Sequence, residues 1–125
     1  MLGSKNAMAT IAVKDLELAK KFYEATLGLK LLDSAQEGVL DFRSGNSYLV
    51  VYVSPYAGTN QATSATWSVG EEFDAIVQAL QTKGVRFEHY ELPGLTRQGD
   101  VHVAGSYKGA WFEDPDGNIL HILNQ

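Results

Sequence analysis

The 125-residue chain predicts an α+β fold of two βαβββ modules forming a shared cleft. Three observations carry that reading. A strand–helix–strand order occurs twice, each helix stops at a glycine (Gly28 and Gly84), and each half closes on a Gly-Asn turn, Gly45-Asn46 and Gly117-Asn118. Neither half alone could cover both a helix and a sheet face, so the modules, about 7–55 and 62–125, are read as one domain. Tyr56–Thr63, polar and containing Gly58, is read as the linker between them.

In the first module, Thr10–Val13 is β-like, and Asp15 suits a helix N-cap because its carboxylate can accept from free first-turn amides. Leu16, Ala19, Phe22, Tyr23 and Leu27 then fall on one helical face. Strands are expected at Leu29–Asp33, Gly38–Arg43 and Ser47–Val53. In the second module, Ser64–Val69 reads as a strand. Phe73, Ile76, Val77 and Leu80 give helical spacing within Glu71–Thr82, and Val85–Tyr90 reads as a strand. Trp111-Phe112 and Ile119–Leu123 flank the dense turn chemistry of Asp114-Pro115-Asp116-Gly117-Asn118, which predicts a closing hairpin.

Gly28 and Gly84 lie 56 positions apart, while Gly45 and Gly117 lie 72 apart, so the second module carries about sixteen additional residues. They are placed in Glu91–Lys108, where a long loop could form a lid over a pocket.

Composition narrows the function. Hydrophobic residues make up 45% and charged residues 20%, ordinary for a globular domain. The net charge of −5 and the lack of a basic stripe argue against nucleic acid as a partner. The absence of cysteine excludes disulfides, thiolate metal sites and a cysteine nucleophile, and fits the cytoplasm as the default location. No apolar run reaches the length of a membrane span, and residues 1–6 are read as a short leader into the first strand.

The run Val13-Lys14-Asp15-Leu16 with Phe22-Tyr23 and Leu27-Gly28-Leu29 resembles the opening of a vicinal oxygen chelate protein. Phe112-Glu113-Asp114-Pro115-Asp116-Gly117-Asn118 resembles the closing signature of the same superfamily, which holds glyoxalases, bleomycin-resistance proteins and extradiol dioxygenases. The resemblance covers nearly the whole chain. It implies a homodimer of paired modules with a cleft for a small molecule, and it spans metal-dependent lyases, isomerases and dioxygenases as well as metal-free binding proteins.

It also implies where a metal would sit. In the family's metal enzymes His, Gln or Glu side chains from the first and last strand of each module hold a divalent ion. Carried onto this sequence, those positions are Met8, Leu49, Ala65 and His121. Only His121 can bind such an ion, whereas catalytic sites usually keep about three protein ligands. A register error of one would substitute Thr66 or Ser64 for Ala65, neither a typical ligand. The expectation is therefore a protein without cofactor that binds a small organic molecule, with aromatic ones among the candidates. Its alternative is a lyase, isomerase or dioxygenase using His121 with an atypical ligand set, to which His102 and Glu113 are the first candidates, or as an acid–base group.

With the cleft face taken from the resemblance, strand parity and side-chain chemistry give His121, Trp67, Trp111, Tyr52, Tyr107, Leu49 and Glu113 as ligand-binding candidates, with His121 the catalytic candidate. His89 and His102 are read as surface histidines.

Overall fold

A computed structural model describes residues 1–33 and 36–125. It divides into two compact units, Met1–Gly58 and Thr59–Gln125.

The first unit contains β1 (Ala9–Val13), α1 (Leu16–Lys20), β2 (Lys30–Leu32), β3 (Val39–Ser44) and β4 (Ser47–Val53). The sheet runs β1-β4-β3-β2, with β1 parallel to β4 and the other pairs antiparallel. Asp15 caps α1 as expected, its Oδ1 accepting from the amides of Glu17 at 2.9 Å and Leu18 at 3.3 Å. The helix does not continue in one form. After Lys20 it widens into a π-helical segment, Lys21–Thr26, in which the Leu27 amide reaches back to the Phe22 carbonyl. Gly28 ends it at a φ of 78°, a backbone region that glycine adopts without steric cost.

Tyr23 from that segment packs on Phe42 of β3, ring centroids 5.9 Å apart, so the helix covers the sheet face that carries Phe42. Leu49 lies directly across from Phe42 and is 2% exposed, with Ile11, Val13 and Val51 also buried. Tyr48, Val50 and Tyr52 alternate onto the opposite face.

The second unit contains β5 (Thr63–Ser68), a 3₁₀ turn at Gly70–Glu72, α2 (Phe73–Thr82), β6 (Phe87–Glu88), β7 (Thr96–Gln98), β8 (Val101–Ala104), β9 (Tyr107–Glu113) and β10 (Ile119–Leu123). Its sheet runs β5-β10-β9-β8-β7, with β6 also on β9. Lys108 of β9 bonds Asp74 of α2 at 3.1 Å, so α2 lies on the face shared by Lys108, Ala110 and Phe112. Phe73, Val77 and Leu80 of α2 and Ala110, Phe112, Leu120 and Ile122 of the sheet supply this unit's apolar core.

Two expectations change here. The strand read over Val85–Tyr90 shortens to Phe87–Glu88, because β9 can accept only one neighbour along that edge and β8 takes the rest. The additional residues are not a free loop: they fold into the β7–β8 hairpin, turned at Gly99 and Asp100, which extends the sheet. Asp100 then fastens this hairpin to the unit, accepting from Gln81 of α2 at 2.9 Å and bonding His89 at 2.7 Å.

Candidate functional site

The face of the second sheet turned away from α2 carries a cluster of polar-tipped rings. Cross-strand pairing sets Trp111 beside His121, Glu88 beside Trp111, and His102 beside Gly109. Residues two apart on a strand share a face, which adds Tyr107 and Glu113 of β9. Trp111 and His121 stack with centroids 4.4 Å apart and planes inclined by 17°. His102 and Tyr90 meet Trp111 edge-on at 4.9 and 5.3 Å. The indole Nε1–H donates to Thr63 Oγ1 at 3.2 Å, which fixes the ring plane.

Both nitrogens of His121 are engaged. Nδ1 lies 3.3 Å from Thr66 Oγ1 and Nε2 lies 3.1 Å from Tyr107 Oη. Burial, and secondarily the charge of His102, lower the His121 pKa and favour a neutral ring. Burial also raises the Tyr107 pKa, so the phenol keeps its proton. His102 is fully enclosed, and its Nε2 accepts from the Tyr90 amide at 2.9 Å. Its proton is therefore on Nδ1, which has no well-formed hydrogen bond. Burial lowers its pKa, outweighing the opposing contribution of the Gly109 backbone.

Glu113 stands at one end of the cluster. A hydrogen bond with Glu88, then burial and the charge of Glu88, raise its pKa, while Arg86, 3.8 Å away, works against that.

The structure thus brings together four of the residues expected from sequence: His121, Trp111, Tyr107 and Glu113. Trp67, of the same unit, does not join them. Trp67 pairs with Ile122, so it lies on the α2 side, and Thr66 takes the place beside His121. The spacing carried over from the first module, which places Ala65 beside His121, is therefore off by one residue; β5 and β10 also carry a bulge, where Ile119 pairs with Thr63 but Leu120 pairs with Ala65. Leu49 is buried under the first unit's helix, and Tyr52 lies on the opposite face of that sheet from Leu49. His102, read as a surface residue, is instead a buried member of the ring cluster, and Tyr90 belongs to it as well. Nothing in the sequence around 102 shows the pairing with Gly109 that buries it.

The donor set does not suit a divalent ion. Among the described residues no three His, Cys, Asp or Glu side chains gather as a metal-holding group. Thr66 offers a neutral hydroxyl beside His121, a poor ligand compared with a carboxylate or imidazole.

No curated protein matches the chain in sequence. Solved structures match in fold. A glyoxalase/bleomycin resistance protein/dioxygenase from Alicyclobacillus acidocaldarius is 19% identical with a TM-score of 0.71, over 96% of this chain and 90% of that one. The fosfomycin resistance protein FosX of Mesorhizobium loti is 12% identical with a TM-score of 0.71, over 100% and 94%. A lactoylglutathione lyase from Agrobacterium tumefaciens is 14% identical with a TM-score of 0.70, over 98% and 95%. At these identities the likeness is one of fold. The family model of this superfamily matches residues 6–122, and the chain belongs to the glyoxalase/bleomycin resistance protein/dioxygenase superfamily.

Proposed function

We propose that this protein binds a small, flat organic molecule against the ring cluster of its second unit, without a resident metal, and that it works as a homodimer. The observation that carries the reading is the state of His121: stacked on Trp111, with both nitrogens occupied by hydroxyl groups. A metal would have to displace one of those hydroxyls, and among the described residues no three His, Cys, Asp or Glu side chains gather to hold it. The half-buried rings of Trp111 and Tyr107, each with one polar atom, suit a flat apolar ligand that carries a few polar groups.

Two measurements test this. Flat aromatic compounds are expected to raise the melting temperature of the wild type and to lose about tenfold in affinity for Trp111→Ala, whose ring supplies most of the contact area. Protein purified without chelator is expected to carry no stoichiometric metal. Metal retained by the wild type and lost in His121→Ala would overturn the metal-free reading.

The acid–base reading keeps one supporting observation, the 3.1 Å contact between His121 and Tyr107. Fosfomycin, named for one structural neighbour, is a usable probe. Its metal-independent consumption by the wild type but not by His121→Gln would favour catalysis over binding alone.

A further inference from the structure

Gly109 lies in β9 between Tyr107 and Trp111, on the face of the ring cluster. Its φ is not in the left-handed range, so backbone geometry does not call for glycine there. Space does. A Cβ at this position would fall on the Tyr107 hydroxyl, 2.7 Å from ring carbon Cζ and 3.1 Å from His121 Nε2. The bare strand lets the Tyr107 ring lie back over Gly109 and set Oη against His121.

Which way this hydrogen bond runs decides what the site offers a ligand. The neutral imidazole has one N–H and one acceptor nitrogen. A phenol, with a pKa near 10, is a far more acidic donor than the Thr66 alcohol and makes the stronger bond to an imidazole nitrogen. Tyr107 therefore donates to Nε2, and Nδ1–H donates to Thr66. With its proton spent on His121, Oη has only acceptor capacity left.

We propose that Tyr107 Oη is the group that reads the ligand, accepting a hydrogen bond from an O–H or N–H on a flat aromatic molecule, and that Gly109 is the positioning residue that seats it. The proposal rests on the binding reading above and names the ligand chemistry for the same site.

Phenol and anisole are the probes, since anisole has a similar ring but no hydroxyl proton. By titration followed in NMR spectra, the wild type is expected to prefer phenol. The phenol-over-anisole ratio should fall about tenfold in Tyr107→Phe and in Gly109→Ala, the loss of one hydrogen bond. An unchanged ratio in Tyr107→Phe overturns the proposal while leaving the binding reading intact. If neither compound binds the wild type, the binding reading itself fails. Nitrogen NMR of His121 gives a readout that packing alone would not move. The proton should reside on Nδ1 in the wild type and redistribute toward Nε2 in both variants, and a wild-type ring carrying it on Nε2 would overturn the assignment. Should Gly109→Ala not fold, Tyr107→Phe decides both measurements.

Discussion

Asp114 shows how much of the closing signature is structural. Its Oδ1 accepts from the amides of Asp116 and Asn118, both at 2.9 Å, and its Oδ2 accepts from Asn118 Nδ2 at 2.8 Å. Both side chains are buried, and Gly117 takes a φ of 86° so that the chain can close around them. Substituting Asp114→Ala would strand three donors in a dry turn, at a cost of about 3 kcal/mol. Urea denaturation should record this as a lower midpoint with the slope retained. A loss below about 1 kcal/mol would show that water satisfies the turn equally well. The turn residues announced themselves in the sequence because Asp, Gly and Asn act on their own neighbours. The role of Gly109 did not, because it depends on where a tyrosine two positions earlier lays its ring.

At the scale of elements, legibility followed locality. Both helices are marked by apolar spacing and a glycine stop, and β4 was found with its observed ends, Ser47–Val53. The β7–β8 hairpin escaped because Thr96-Arg97-Gln98 is fully polar and exposed, with no alternation to betray a strand. What holds it is non-local: the contacts of Asp100 with Gln81 and His89. Burial alone would raise the Asp100 pKa, yet the bonds from His89 and Gln81 and the charges of His89 and Arg97 bring it below the ordinary value. Asp100→Ala is expected to cost about 1 kcal/mol, since both partners are partly exposed. The sharper readout is amide exchange, which should accelerate across 96–104 while α2 keeps its protection. Unchanged exchange would mean that strand pairing alone secures the hairpin. Side-chain facing was harder to read than strand position, for a similar reason. His121 lies on the open face of its sheet, whereas Leu49, at the matching count from its turn glycine, lies on the covered face of the other. The first module's spacing, carried onto the second, places Ala65 and Trp67 on the open face, but the observed pairing puts Thr66, not Ala65, beside His121.

For the molecule as a whole, the ring face makes opposing demands on the pH dependence of folding. Burial lowers the pKa of His121 and of His102. The unfolded chain titrates histidine near pH 6.5, so below that pH it binds more protons than the native protein, and stability falls as the pH drops. Glu113 acts in the other direction. The hydrogen bond with Glu88, followed by burial, raises its native pKa above the value of roughly 4.3 in the unfolded chain. Its contribution is complete below that pH and is lost as the pH rises through the native value. Between roughly pH 4.3 and 6.5 the two slopes therefore oppose each other. Urea midpoints across this window should rise less steeply with pH in His121→Gln than in the wild type. In Glu113→Gln they should rise more steeply, because the opposing group no longer titrates. Parallel curves for all three proteins would mean that neither group feels its burial. The argument that His121 stays neutral would then fall, and with it the hydrogen bond that leaves the Tyr107 oxygen free to accept from a ligand.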